Sequence, residues 1–314
     1  YFPDHLWRDG KPVALSGNRA DGVVGTQYSP DLFLEEAERF LRGEHAKPFF
    51  LYLPFTLPHV ALQVEDEDLA HYKERFEERP YRGERGYLPH PTPRAAYAAM
   101  VSRLDKDVGR VLDLLKELAL EENTLVLFVS DNGPTTDAGG VDTRFFDSTA
   151  GLRGRKGQVY EGGIRVPLIA RWPGRVPSGK ESAWIGAHYD LLPTLLEVAG
   201  VPVPGGLDGL SFAAELRGES APPHEFLLWE FHGYGGQQAL RMGRWKGVRV
   251  NLLEELAPLE LYDLEATPRE NKNVAAANPE VVKRMLELLA REHKNARDFP
   301  LPALDGPPTR AGGF

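Results

Sequence analysis

The spacing of apolar residues divides the chain into segments of different period. Between residues 94 and 119, Tyr97, Val101, Leu104, Val108, Val111, Leu115 and Leu118 recur in steps of four and three, which places them on one stripe of an amphipathic helix. A shorter helix is predicted from Ser29-Pro30-Asp31, a capping residue followed by proline, through Phe33, Ala37, Phe40 and Leu41 to a stop at Gly43. Residues 48–56 (PFFLYLPFT) and 125–129 (LVLFV) are continuously apolar instead, the pattern of strands covered on both faces. A buried strand, a helix and a second buried strand form a crossover unit, most simply with parallel strands. Their C-terminal ends then reach one edge of the sheet. On this reading His59 and the pair Asp131-Asn132 emerge on a common rim, where open α/β sheets bind ligands.

Further along, Val166 to Ala170 reads as another buried strand, and YDLLPTLLEVAG (189–200) as a helix stopped by Gly200. VPVPGG (201–206) is the linker candidate, dividing the chain into a portion 1–205 and a smaller portion 206–314. Beyond it, residues 226–231, 239–250 and 259–264 read as strands with no helices between them, which predicts an antiparallel sheet, followed by a helix from Pro279 to His293. The Pro- and Gly-rich tail after Asp298 is expected to be loosely ordered. The acidic stretch 65–79 and the Pro/Gly/Arg-rich stretch 80–94 read as surface structure, and no internal repeat is present.

Composition narrows the choices. With 42% hydrophobic and 26% charged residues in 314, the chain is ordinary globular material, and it contains neither an apolar run of membrane-spanning length nor a basic-then-apolar leader at its start. A net charge of −9 argues against nucleic acid as a partner. The absence of cysteine excludes disulfides, thiolate metal sites and a cysteine nucleophile, and leaves the redox compartment unread. Against the acidic balance, residues 151–175 hold Arg153, Arg155, Lys156, Arg165, Arg171 and Arg175 with one acid, Glu161. Such a surplus suits an anion, or else a solvated loop.

Asp131 offers carboxylate oxygens and Asn132 an amide oxygen. Hard donors of this kind suit Ca²⁺ or Mg²⁺ rather than Zn²⁺, although two donors do not complete a shell and Asn-Gly also suits a plain turn. The loop GLRGRKG (151–157) differs from the nucleotide P-loop, because Arg155 precedes the lysine and Gly157 follows it. What it retains is Lys156 among glycines, able to approach an anion or merely exposed. Tyr160-Glu161-Gly162-Gly163 continues the close-approach composition. His59, flanked by Pro54 and Pro58, reads as a structural or exposed imidazole, or as a proton carrier if it meets the rim. No G-x-S-x-G elbow is present, so a serine hydrolase is unsupported.

Taken together, PFFLYLPFTLPHVALQ (48–63), LVLFVSDNGP (125–134), LRGRKGQVYEGGIRVPLIARWPG (152–174) and DLLPTLLEVAG (190–200) resemble the C-terminal part of the arylsulfatase-like sulfatases, within the alkaline-phosphatase-like superfamily. Weaker echoes lie in QALRMGRWKGVR (238–249) and ELYDLEATPRENKN (260–273). The resemblance implies an α/β fold: part of a three-layer α/β/α sandwich over 1–205, with a small C-terminal α+β subdomain over 206–314. It implies hydrolysis of a sulfate monoester, on a small molecule or a carbohydrate, with Asp131 and Asn132 as ligands of an active-site Ca²⁺ (Mg²⁺ second) and Lys156 and His59 contacting the sulfate. Arg165 would only buttress the loop. In the family the nucleophile is a formylglycine made from Cys or Ser in a C/S-x-P-S-R motif. These 314 residues contain no such motif, nor the paired aspartates that complete the metal shell. The chain also opens on Tyr1 in what corresponds to the interior of the catalytic domain. The expectation is therefore a C-terminal fragment, inactive alone, whose missing N-terminal half supplies the nucleophile. Two other readings stay open: a phosphomonoester or phosphonate hydrolase of the same superfamily, and a non-catalytic anion-binding remnant. Family members are often periplasmic or secreted, which makes export the expectation here.

Overall fold

Asp9 and Gly10, both at positive φ (49° and 75°), make the two-residue turn that right-twisted strands favour, joining β1 (His5–Arg8) to β2 (Lys11–Ala14) in an antiparallel hairpin. The hairpin belongs to the first of two units in the computed structural model, which describes residues 1–305. This unit comprises Tyr1–Thr124 and Thr135–Phe146; the second comprises Leu125–Pro134 and the chain from Asp147 onward.

The helices of the first unit are α1 (Ser29–Leu41), α2 (Asp66–Ala70) and α3 (Pro93–Glu117). Helix α1 begins one residue earlier than its capping pattern predicts, with Tyr28 as N-cap, and buries Pro30, Leu34, Ala37 and Leu41. Helix α3 forms where its period predicts, but on a different face. It buries Ala95, Ala96, Ala99, Met100 and Arg103, while Val101 is exposed. The small residues explain this: Ala96 and Met100 pack among Tyr28, Leu57, Val60, Leu62 and Val141, where a stripe of larger side chains would overfill the core. Arg103 then gathers four carboxylates, from Asp31 of α1, Glu65 (3.0 Å), Asp68 of α2 (3.1 Å) and Asp107 (2.9 Å), so one buried guanidinium ties all three helices together.

Residues 48–56 correct the strand prediction. Among the described residues they join no ladder, and although the burial alternates as in an extended chain, Phe50 and Tyr52 lie exposed. An apolar run gives a segment the propensity for a strand, but a strand also needs a neighbour to receive its backbone hydrogen bonds.

The second unit begins with β3 (Val126–Val129), which pairs with β4 (Leu168–Arg171) after the short helix α4 (Glu161–Ile164). The pairing is antiparallel, Val126 opposite Arg171 and Val129 opposite Leu168, so the parallel crossover expected for 125–129 is not the ladder this strand forms. Helix α5 (Leu191–Val198) ends in a Schellman motif, with Gly200 at φ 68° and Val201 N–H bonded to Leu196 O at 2.9 Å, as the glycine predicts. Residues 201–206 are exposed and carry no regular element. After α6 (Ala213–Leu216) comes an antiparallel sheet in the order β5 (Leu227–Phe231), β6 (Gln237–Met242), β7 (Trp245–Val250) and β8 (Glu260–Asp263). Residues 239–250, read from sequence as one strand, are a hairpin folded at Gly243-Arg244, where only the glycine takes positive φ.

Alternation gives this sheet two buried faces. Ala239, Val248 and Tyr262 pack on Val159 and Tyr160, whereas Leu240 and Leu261 pack on Met285, Leu288 and Leu289 of α7 (Pro279–Glu292). Each fully buried side chain of this size contributes about 1.5–3 kcal/mol, so the α7 layer is a substantial part of the unit's stability.

The described part of the tail is better ordered than its composition suggests. Leu301 is buried, α8 (Pro302–Asp305) follows it, and His293 bonds both Glu230 (2.8 Å) and Asp305 (2.9 Å). Residues 306–314, the rest of the expected loose tail, lie outside the described residues. Burial disfavours the charged imidazole of His293, but the two carboxylates outweigh it and raise its pKa. A raised folded-state pKa gives stability that is complete below the ordinary histidine value of about 6.5 and is lost as pH rises through the folded value. The melting temperature is therefore expected to fall between pH 6 and pH 8 by more in the parent protein than in His293→Gln. Identical slopes in the two would show that His293 stays neutral.

Candidate active site

Strand β3 delivers Asp131 and Asn132 at its C-terminal end, and the turn they occupy is locked from two sides. Gly133 N–H donates to Gly163 O at 2.9 Å, and Lys156 N–H donates to Pro134 O at 2.9 Å. The contact leaves no room for a side chain, since a Cβ on Gly133 would stand 1.9 Å from Gly162 O. Gly162 is equally confined, its Cβ position being 2.3 Å from Gly154 O. The glycines that look like a phosphate cradle in the sequence thus serve to press the basic loop onto the end of β3.

The chemically useful ends of these residues are left uncommitted. Asp131 is exposed, and among the described residues nothing hydrogen bonds to its carboxylate. Asn132 spends its Nδ2 on Gly133 O (3.0 Å), which leaves its Oδ1 without a donor. Nζ of the half-buried Lys156 likewise has no hydrogen-bond partner among the described residues. Asp131 and Asn132 therefore suit a hard cation in donor type and availability. They are two oxygens only, and no cluster of three or more His, Cys, Asp or Glu able to hold a metal occurs among the described residues.

His59 belongs to the first unit. Its ring is exposed, and Nδ1 lies 2.5 Å from Val60 O. A carbonyl only accepts, so Nδ1 carries the proton and Nε2 of the neutral ring keeps a lone pair to take one.

Several residues without a sequence-assigned role hold the Lys156 loop. The amide of Gln237 clamps it, donating to Gly157 O at 2.7 Å and accepting from Val159 N–H at 3.2 Å. Beneath it, the buried ammonium of Lys246 meets Glu161 at 2.8 Å and Glu270 at 3.0 Å, and Glu270 also accepts from Glu161 N–H at 2.7 Å. Burial raises the pKa of Glu270, with Lys246 opposing. Arg153 turns inward too: its guanidinium lies 3.8 Å over the Tyr160 ring, and donates to Tyr262 Oη (2.7 Å) and Glu270 O (3.0 Å). Burial lifts the Tyr262 phenol to about 12, so that hydroxyl stays neutral. Arg165 is 3.9 Å from Glu161, consistent with a buttress, and Arg175 stacks on Trp172. A good part of the basic surplus is thus structural. His188 adds a last brace, Nε2 donating to Ser130 O at 3.0 Å beside the Asp131 turn. One signal for Lys246 was present in the sequence: in strand alternation it shares a face with Val248 and Val250, which puts a charge on an apolar side.

The sulfatase family model matches residues 4–201. The chain belongs to the sulfatase family. A second model, for the C-terminal region of N-sulphoglucosamine sulphohydrolase, matches residues 154–295 of this sulfatase chain, taking in the Lys156 loop and the four-stranded sheet. A sulfatase of Formosa agariphila is 33% identical over 297 residues, covering 86% of this chain and 48% of the relative, so the chain spans about half of that protein. Among solved structures, Ps i-CgsB in complex with k-i-k-neocarrahexaose superposes with a TM-score of 0.69 at 30% identity, covering 90% of this chain and 56% of the other. The phosphonate monoester hydrolase of Agrobacterium radiobacter gives 0.64 at 21% identity over 87% of this chain and 64% of its own, a likeness of fold alone. The fold of this sulfatase chain is accordingly the α/β fold of the alkaline-phosphatase-like superfamily. No helix among the described residues is long and apolar enough to cross a membrane.

Proposed function

We propose that this chain carries part of the active site of a sulfuric ester hydrolase acting on a sulfate monoester of a small molecule or carbohydrate. One observation carries the reading: the bond from Lys156 N–H to Pro134 O holds a lysine with an uncommitted ammonium beside two uncommitted oxygens, Asp131 and Asn132 Oδ1. Lys156 would neutralise the negative charge on the sulfuryl oxygens. His59 would contact the same group through Nε2 as an N–H donor, once that nitrogen has taken up a proton. Asp131 and Asn132 would hold Ca²⁺, which supplies Lewis-acid stabilisation of the sulfuryl group when bound. The nucleophile would be a formylglycine from outside these 314 residues, which lack the C/S-x-P-S-R precursor. On this reading the 314 residues alone turn over no ester, and the full-length protein is exported.

The test is to assay the full-length protein on matched sulfate and phosphate monoesters, with and without Lys156→Ala. The sulfate ester should be preferred, and Lys156→Ala should lower kcat by roughly 100-fold or more. A strong phosphate preference would assign the site to the phosphonate-hydrolase branch. Turnover by the 314-residue chain itself would end the proposal of an external nucleophile.

A further inference from the structure

The turn between β5 and β6 reads FHGYGG, and its one non-glycine at the apex is misplaced by every local rule. Tyr234 sits at φ 53°, a left-handed backbone that bulky residues avoid, and its side chain is 69% exposed. Three of its neighbours, Gly233, Gly235 and Gly236, show that the turn has glycine to spare. Burial does not explain the tyrosine, and backbone preference opposes it. Outliers of this kind concentrate where a side chain is needed for a ligand.

Its position supports that reading. The Tyr234 ring lies against Gly157, the residue after Lys156: a Cβ on Gly157 would stand 2.4 Å from Tyr234 Cε2. A second ring, Phe231, folds over Gly233 and lies 6.1 Å from Tyr234 between centroids at an interplanar angle of 31°. Phe231 is also exposed. The turn bearing both rings is fixed to its surroundings, with Leu252 N–H on Gly236 O (3.0 Å) and Leu253 N–H on Gly235 O (2.9 Å). Gln237, the first residue of β6, is the one whose amide holds Gly157 O. Anion-holding loop and aromatic turn are therefore joined as one rigid piece.

We propose that Tyr234 and Phe231 form a platform for the flat apolar face of the ring that bears the sulfate, while Lys156 holds the sulfate itself. The inference rests on the sulfate-ester reading above and adds where the organic part of the substrate lies. An aromatic face stacks on the C–H face of a pyranose or on an arene, and adds no charge. Its contribution should thus appear only in ligands that have a ring.

Calorimetry of the full-length protein with three non-hydrolysable sulfonates tests this: methanesulfonate, p-toluenesulfonate and glucose 6-sulfonate. Tyr234→Ala should weaken at least one ring-bearing ligand by roughly three- to tenfold and leave methanesulfonate unchanged. Which ring loses affinity identifies an arene or a sugar. Tyr234→Gly suits the backbone conformation, so it should melt no lower than the parent while losing the same affinity. Ring ligands bound equally well by parent and Tyr234→Gly would overturn the platform. If methanesulfonate does not bind the parent, or binds Lys156→Ala as well, the sulfate-ester reading fails, and the platform falls with it.

Discussion

Replacing Gly133 by alanine is expected to destabilise the protein by about 3 kcal/mol or more and, on the proposed sulfate-ester reading, to abolish sulfate binding. The added methyl would enter the 1.9 Å gap to Gly162 O, where both partners are backbone and neither can rotate aside. Relief requires the end of β3 and the basic loop to separate, which breaks the bonds Gly133 N–H to Gly163 O and Lys156 N–H to Pro134 O. In thermal unfolding the change corresponds to a fall of roughly 6–12 °C. Gly174→Ala provides the control. Gly174 has φ 75° but nothing within 4 Å of its Cβ position, so it reports backbone strain alone, about 1–2 kcal/mol. Equal losses in the two variants would mean that the Gly133 contact is not the constraint described.

The second large effect is expected at Lys246. Lys246→Met keeps the volume and removes the charge, leaving Glu161 and Glu270 facing each other in the interior. Breaking a buried ion pair from one side costs about 3–5 kcal/mol, because the remaining charge is desolvated; Arg165 and Arg241, each 3.9 Å from Glu161, compensate that acid only at a distance. The loss should depend on pH in a determined direction. Burial raises the pKa of Glu270 and the nearby Glu161 charge adds to it, so removing the opposing ammonium pushes the Glu270 carboxyl further upward. A folded-state pKa above the unfolded value means that the native state binds more protons, so the stability of the variant falls as pH rises. Denaturant titrations should therefore find Lys246→Met closest to the parent near pH 5 and furthest from it near pH 8. A pH-independent difference would show that the carboxylates do not face each other as described.

Much of this architecture was legible in the residues. The antiparallel character of the last sheet, α7, α5 and its glycine stop follow from alternation, period and end signals, although 239–250 reads as one strand where the structure has a hairpin. Residues 48–56 and 125–129 were not legible to the same degree. An apolar run says that a segment avoids water but not which backbone accepts its hydrogen bonds, so ladder direction and even ladder membership stayed open. The buried face of α3 was misjudged because the count of large residues hid the requirement for small ones at Ala95, Ala96 and Ala99. At the candidate site, residue type and placement singled out Asp131, Asn132 and Lys156, and the roles given to them belong to the proposed function. Lys246, Glu270 and Gln237 passed unassigned because the residues of the basic loop they hold lie about 80 to 110 positions away, a separation no local pattern spans.

The same separation shapes how such a sequence can change over generations. Glu161, Lys246 and Glu270 sit in three distant stretches, yet Lys246 lost alone strands both carboxylates in the interior. Exchanging all three for well-packed apolar residues is often harmless to an interior. The neutral sequences on either side are thus divided by unfit single steps. Descendants should lose Lys246 only together with both acids, and a gene recombined between residues 161 and 246 can bring in the acids without the lysine.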